Sequence, residues 1–407
     1  MNRSTTRMIA TAIVLTCGLL TTGCSSDGEA ESSEPASSVA AGERGTIKVG
    51  GIFGRTVTKD PDTGAYEAVE AFFESINEKG GVNGYTFEFE GIDDQGDPAK
   101  FAAAVERLTS SGVDVIISSA QTQVPGGLAI IEETGIPYIG GNAHGRDILE
   151  TPNVFPTGAN LQNGIAAVFT TLLSESDTAS VTGVNHPSVT PAVEGTVERL
   201  TEAGIDVKET GTFELTATDF TATASQINNA EVDDAIVYAL NSQQPAIVGA
   251  LEQQGYEGSI YSGSYDATLV EQLGDYADGR FFSVQPWAAL ESGAAGEEAE
   301  ATVKEKHPDV DLMSNRKAMD AWTSAEILVE AVERLGDEPV TSESVIAALN
   351  SFDGFESTFM APITYTAGAD GHLDVSNCMQ ALAIEGGEWV VAGEGRFTCW
   401  DDSVAPA

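Results

Sequence analysis

Hydroxyl and amide side chains gather where apolar runs end. Ser118-Ser119-Ala120-Gln121-Thr122 follows a run that closes at Ile117, and Asn142-Ala143-His144 follows one that closes at Ile139. Asn241-Ser242-Gln243 comes after a run ending at Leu240, and Ser264-Tyr265-Asp266 after one ending near Tyr261. If these runs are strands of open α/β sheets, the loops lie beyond the strands' carboxyl ends, where such folds hold ligands and helix N-termini offer unpaired N–H groups. The first loop leads into a helical pattern and can present hydroxyls and backbone donors to an anionic group. Ser118, Ser119 and Thr122 would equally serve as helix caps, and Asp266 as the cap of a helix beginning near Ala267.

Other residues suggest chemistry and have plainer roles. Asp60-Pro61-Asp62-Thr63-Gly64 starts like a calcium loop, but the later ligands and the distal Glu are missing at the required offsets, and Asp62 suits a helix start. Asp93, Asp94 and Asp97 could be taken for acid/base carboxylates, yet Asp97-Pro98 is the pattern of an N-cap followed by Pro at the first helical position. The sequence has no Gly-x-Ser-x-Gly elbow, phosphate loop or His/Glu metal helix, and only His144 and His186 lie near expected strand ends. No catalytic residue, metal or cofactor is expected.

The elements that would carry the loops alternate in type. Thr46 to Phe53 reads as a strand; Ala65, Val69, Phe72, Phe73 and Ile76 recur at helical spacing; Gly80-Gly81-Val82-Asn83-Gly84 breaks that helix before a strand from Thr86 to Ile92. Phe101, Val105 and Leu108 mark a helix, Val113 to Ile117 a strand, Leu128 to Ile131 part of a helix and Ile136 to Ile139 a strand. After Pro152 to Gly158 the beat resumes, with strands at Ser180–Val184, Val207–Phe213, Ala235–Leu240 and Gly258–Tyr261. Helices fall around Ala192–Ala203, Phe220–Asn229 and Pro245–Gln254. A helical stretch from Gly296 to Asn350 and a β-rich tail from Phe359 to Trp400 follow. Alternating β and α units imply parallel sheets covered on both faces, and two sets imply two lobes.

At the start, Arg3 and Arg7 precede an apolar run from Met8 to Leu20 that is too short to span a bilayer and suits a signal peptide. Leu20-Thr21-Thr22-Gly23-Cys24 is similar to a bacterial lipoprotein cleavage box, which makes residues 1–23 the leader and Cys24 the lipidated anchor on the outer face of the cell membrane. Residues 24–45, rich in Ser, Ala, Glu and Gly, form a tether. The net charge of −44 becomes about −46 without the leader's two arginines, which disfavours nucleic acid as a partner. Two cysteines remain in the folded part. Each borders an alternating segment across the turn signal Glu385-Gly386-Gly387-Glu388, so a Cys378–Cys399 disulfide should staple a terminal hairpin.

Ile47-Lys48-Val49-Gly50, Ile76-Asn77-Glu78-Lys79-Gly80-Gly81-Val82-Asn83-Gly84 and Asp93-Asp94-Gln95-Gly96-Asp97-Pro98-Ala99-Lys100 resemble the periplasmic leucine/isoleucine/valine-binding protein family, solute-binding components of ABC importers. The resemblance implies a type I periplasmic-binding-protein-like fold: two doubly wound parallel-sheet lobes joined by a three-strand hinge, with crossings near Thr157, Gln285 and Pro362. Lobe 1 would then comprise residues 46–157 and 286–362, and lobe 2 residues 158–285 and 363–407.

The resemblance also implies a monomer that closes on a small polar ligand, an amino acid or amide, and delivers it to ABC permease subunits. A ligand-binding sensor for a membrane signalling system is the alternative. Ser119 would hold a ligand carboxylate, helped by Asn142 and His144, while Tyr265 or Asp266 would stand where the family's amino-acid binders place an acid for the ligand's ammonium group. Gly96 and Ser118 occupy positions where that family often has cysteines, which marks a different subgroup.

Overall fold

The computed structural model describes residues 42–57, 64–119, 123–141, 146–159, 161–173, 176–186, 189–313, 315–365, 375–393 and 395–400. Cys24, and with it the leader and most of the tether, lies outside the described residues.

The first half of the chain runs β1 (Gly45–Phe53), α1 (Ala65–Glu78), β2 (Tyr85–Asp93), α2 (Pro98–Ser111), β3 (Val115–Ser118), α3 (Leu128–Thr134), β4 (Tyr138–Gly140), α4 (Arg146–Glu150) and β5 (Val154–Phe155). Its strands make one sheet in the order β2-β1-β3-β4-β5, every neighbouring pair parallel. The order reverses between β1 and β3. The helix starts and stops obey local chemistry: the Asp97 carboxylate accepts from Ala99 N–H and Lys100 N–H, Pro98 opens α2, and Gly112 ends it in the left-handed region at φ 80°. Helix α1 is capped by Gly64 at φ 79°; Asp60 and Asp62 lie outside the described residues.

The second set is α5 (Leu161–Leu172), β6 (Thr178–Val184), α6 (Thr190–Glu202), β7 (Asp206–Phe213), α7 (Thr221–Asn229), β8 (Asp234–Tyr238), α8 (Gln244–Gln254), β9 (Ser259–Ser262), α9 (Leu269–Leu273) and β10 (Phe281–Gln285). Helices α10 (Gly293–Lys306), α11 (Arg316–Leu335) and α12 (Ser342–Leu349) follow, then β11 (Cys378–Glu385), β12 (Glu388–Val391) and β13 (Thr398–Cys399). The second sheet has the order β12-β11-β10-β9-β8-β6-β7, with β13 on β11. It is parallel from β7 to β10, and β11, β12 and β13 join antiparallel. The parallel sheet expected of the alternating units and the hairpin expected in the tail are both present: β11 and β12 turn back at Gly386-Gly387, a two-residue reversal that can only be antiparallel. The Cys378–Cys399 disulfide forms and joins β11 to β13 where the two cysteines are register partners.

Helices α10 to α12 return to the first sheet. Their buried side chains, among them Val303, Trp322, Leu328, Val332 and Leu349, share one core with Ile47, Val49, Phe72 and Phe73. Phe72 and Trp322 meet edge to face at 4.8 Å, a geometry that ring quadrupoles favour. The second sheet has a core on each face: Val237, Ile247, Leu251 and Phe281 on one, and Phe169, Val181, Ile236 and Met379 on the other.

Candidate ligand-binding cleft

A doubly wound sheet opens a crevice where its strand order reverses, because the loops leaving the two central strands turn to opposite faces. In the first sheet that point lies between the carboxyl ends of β1 and β3, at Phe53 and Ser118. In the second it lies between β6 and β8, at Val184 and Tyr238.

Three connections run between the two sheets and the helices packed on them. The chain leaves the first sheet at the carboxyl end of β5 and the second at the carboxyl end of β10. Tyr365 Oη donates to Pro156 O at 2.7 Å, tying the first crossing to the third, and Trp287 forms a β-bridge with Met360, tying the second to the third. Thr157, fully buried, donates to Asp320 on α11 and to Gly141 O. Burial, followed by the Asp320 charge, pushes the Tyr365 hydroxyl pKa up. Behind the crossings, Glu326 on α11 accepts from Trp322 Nε1 at 3.0 Å and from both the N–H and the hydroxyl of Thr358. Burial raises its pKa despite those bonds. Arg396, from the tail beside the disulfide, donates to Thr358 O and so joins this cluster.

At the first edge, Ser118 is fully buried and its hydroxyl donates to Ile52 O at 2.7 Å, locking the end of β3 to β1. Ser119 is also buried. Gly140 ends β4 at φ 128°, where a Cβ would come within 1.9 Å of Ser118 O and 2.8 Å of Ser324 Oγ. Only glycine fits that approach. Gln121, Thr122, Asn142 and His144 lie outside the described residues.

Asp93, Asp94 and Asp97 have structural work. Asp93 accepts from Gln95 N–H and from the Thr56 hydroxyl, Asp94 accepts from Gly96 N–H, and Asp97 caps α2. Burial pushes the Asp93 carboxyl up, but the bonds from Thr56 and Gln95 outweigh it and hold the pKa below the usual value. Among the described residues, no group of three His, Cys, Asp or Glu could hold a metal ion.

The second edge is stitched by amides. Gln243 is buried; its Oε1 accepts from Leu240 N–H at 3.2 Å while its Nε2 donates to Leu215 O at 3.1 Å and Ala217 O at 3.3 Å. The side chain therefore fastens the loop after β8 to the loop after β7. Gln244 does the same toward β9, donating to Ser262 Oγ at 2.6 Å and Ser264 Oγ at 3.1 Å. Sequence reasoning passed over Gln244; its signal was a second amide directly before Pro245 at a helix start. Tyr265 is half-buried, its ring 5.3 Å from that of Trp389, and burial and the Asp266 charge raise its pKa. Asp266 is exposed, and its Oδ1 accepts from both the N–H and the hydroxyl of Thr268 at 2.8 and 2.6 Å. The helix after it begins at Leu269 rather than near Ala267, because the Asp266–Thr268 turn takes up the intervening residues. The structure thus places Gln243, Tyr265 and Asp266 along one sheet edge, and Ser118 and Ser119 at the other.

Comparison with known proteins gives a consistent picture. A family model described as periplasmic binding protein matches residues 46–388. The fold is similar to a fatty acid ABC transporter substrate-binding protein from Thermomonospora curvata, with TM-score 0.68, 19% identity, and coverage of 88% of this chain and 94% of that one. A branched-chain amino acid ABC transporter protein from Thermus thermophilus with bound valine gives TM-score 0.70 at 19% identity, covering 86% and 96%. A solute-binding protein from R. palustris in complex with benzoate gives 0.64 at 18% identity, covering 86% and 96%. Among curated proteins nothing matches.

Proposed function

Since the match spans most of its length, the chain belongs to the periplasmic binding protein family, and on that premise we propose that it is the solute-binding lipoprotein of an ABC importer. It works outside the cytoplasm, tethered by lipidated Cys24 through residues 24–45 after loss of residues 1–23. Lobe 1 comprises residues 46–157 and 286–362, and lobe 2 residues 158–285 and 363–407. A small molecule binds between them, and rotation about the crossings near Thr157, Gln285 and Pro362 closes the lobes over it. The closed monomer then presents its ligand to the permease subunits, with no bond made or broken.

The observation that carries this reading is the pair of switch points, at β1/β3 and β6/β8, on two sheets whose carboxyl ends adjoin the same three tied crossings. In the similar structures the ligands named are valine and benzoate, and a third protein is named for fatty acids. Amino acids, amides and organic acids are therefore the compounds to test. A thermal-shift screen of the full chain against them tests the proposal. A ligand at 100 times its dissociation constant adds about 2.7 kcal/mol of stability, so a true ligand stands clear of the rest. Conversion of any tested compound by the protein would contradict a purely binding role.

A further inference from the structure

At the amino ends of the second sheet's strands, the end away from the proposed cleft, a cavity of about 690 Å³ opens beside the starts of β6, β8 and β9. Asp234, the first residue of β8, lines it and pairs in register with Ala179 on one side and Ser259 on the other. Asp234 is 3% exposed, and its Oδ2 is buried without a hydrogen-bond partner. Burial raises its pKa and the Asp233 charge adds to the rise, while the Ser176, Ser259 and Tyr261 hydroxyls oppose it. A buried carboxylate is costly unless a cation and enough donors meet it. Among the described residues no lysine or arginine does so.

The surroundings favour positive charge. Helices α7 and α8 end at this cavity, with Asn228 and Gly255 in its wall, and a helix C-terminus carries a partial negative charge. Glu231, Asp233 and Glu257 are exposed around it. Two cations of the chain reach this end and bond to backbone oxygens: Lys208 Nζ donates to Glu231 O at 3.0 Å, and Arg280 donates to Glu257 O. Asp233 Oδ2 accepts from the N–H and the hydroxyl of Thr178 at 3.1 and 2.8 Å, which ties the starts of β6 and β8. The described residues contain no group of three His, Cys, Asp or Glu for a metal ion, and the volume suits a small organic molecule.

We infer that this cavity is a second binding site, for a short aliphatic diamine. One ammonium group donates to Asp234, and the carboxylates of Glu231 and Glu257 meet the other. The wall residues all fall between Ser176 and Ser259, so occupancy leaves the three crossings untouched.

Calorimetric titration of 1,4-diaminobutane into the full chain at fixed ionic strength tests this, beside butylamine and potassium chloride. Expected is one saturable site for the diamine, about two- to fivefold weaker binding of butylamine, which lacks the exposed second pair, and no saturable heat from potassium chloride. Asp234→Asn keeps the side chain's shape and removes its charge, and should weaken 1,4-diaminobutane at least about tenfold. Glu231→Gln combined with Glu257→Gln should weaken the diamine about two- to fivefold and leave butylamine unmoved. Both side chains of that pair are exposed, so it carries the test if Asp234→Asn does not fold. Diamine affinity unmoved by the substitutions, equal heats from potassium chloride, or no saturable binding would each overturn the inference. None of these results bears on the receptor role, which rests on the other end of the sheets.

Discussion

The two sheets meet the cleft with edges of opposite character. The first edge is backbone packed against backbone: Gly140 presses on Ser118 O, and the Ser118 hydroxyl is spent on Ile52 O. The second is a scaffold of buried amides, Gln243 and Gln244, that displays Leu240 and Leu215. Close backbone packing leaves one shape. An apolar wall tolerates variation, since its contribution scales with area covered. The first edge is therefore fixed by its backbone, and the second by side chains that substitution can change.

The sharpest way to break the first edge is Gly140→Ala. With φ at 128° and a Cβ 1.9 Å from a backbone oxygen, the variant should lose at least about 3 kcal/mol, combining backbone strain with overpacking. Urea denaturation measures it; a loss below ~1 kcal/mol would mean the edge is not tightly closed. On the second sheet, replacing Cys378 and Cys399 together with serine opens a loop of sequence separation 21 and should cost about 3 kcal/mol. Because this bridge lies on β11 rather than at the cleft, affinity should change less than stability, and a larger drop in affinity would tie the tail to the site.

Asp266→Ala separates the two views of the second edge. If the carboxylate only caps its turn, the loss is about 1 kcal/mol of stability with ligand affinity retained. A tenfold or greater fall in affinity would restore it as a ligand contact.

The smallest effect concerns Glu326, whose pKa burial raises. The folded state then holds its proton to higher pH than the unfolded chain does. Stability should therefore decline as pH climbs from the ordinary glutamate value through the raised one, and be fully present below both. Asp93, whose pKa is held below the usual value, contributes with the opposite sign. The contribution of Glu326 is the part of the slope of melting temperature against pH that Glu326→Gln removes; equal slopes in the two proteins would show that the carboxyl titrates normally.

Much of this architecture could be read before the fold was seen, because its signals are local. The Asp97-Pro98 cap, the Gly80 to Gly84 break and the alternation flanking Cys378 and Cys399 each act over a few residues, and each corresponds to an observed element. Strand β10 (Phe281–Gln285) and helix α5 (Leu161–Leu172) were not picked out: five residues give too short a pattern, and α5 follows directly on the crossing.

At the site, the sequence showed which loops end the strands and not what their side chains do. Leu240 reads as the last residue of a buried strand, yet the strand stops at Tyr238 and Leu240 turns outward. Gln243 reads as a ligand contact, yet its amide is engaged by two loops that meet only in the folded chain. Glu326 lies in the helical stretch from Gly296 to Asn350, and only the folded chain brings Thr358 and the tail's Arg396 to it.

The central claim is that two lobes close over a ligand bound between their edges. Small-angle scattering tests it directly, through the radius of gyration of the full chain with and without the compound that gives the largest thermal shift. A decrease on saturation, absent with a non-binding analogue, is the predicted result. Saturable binding with an unchanged radius would contradict hinge closure.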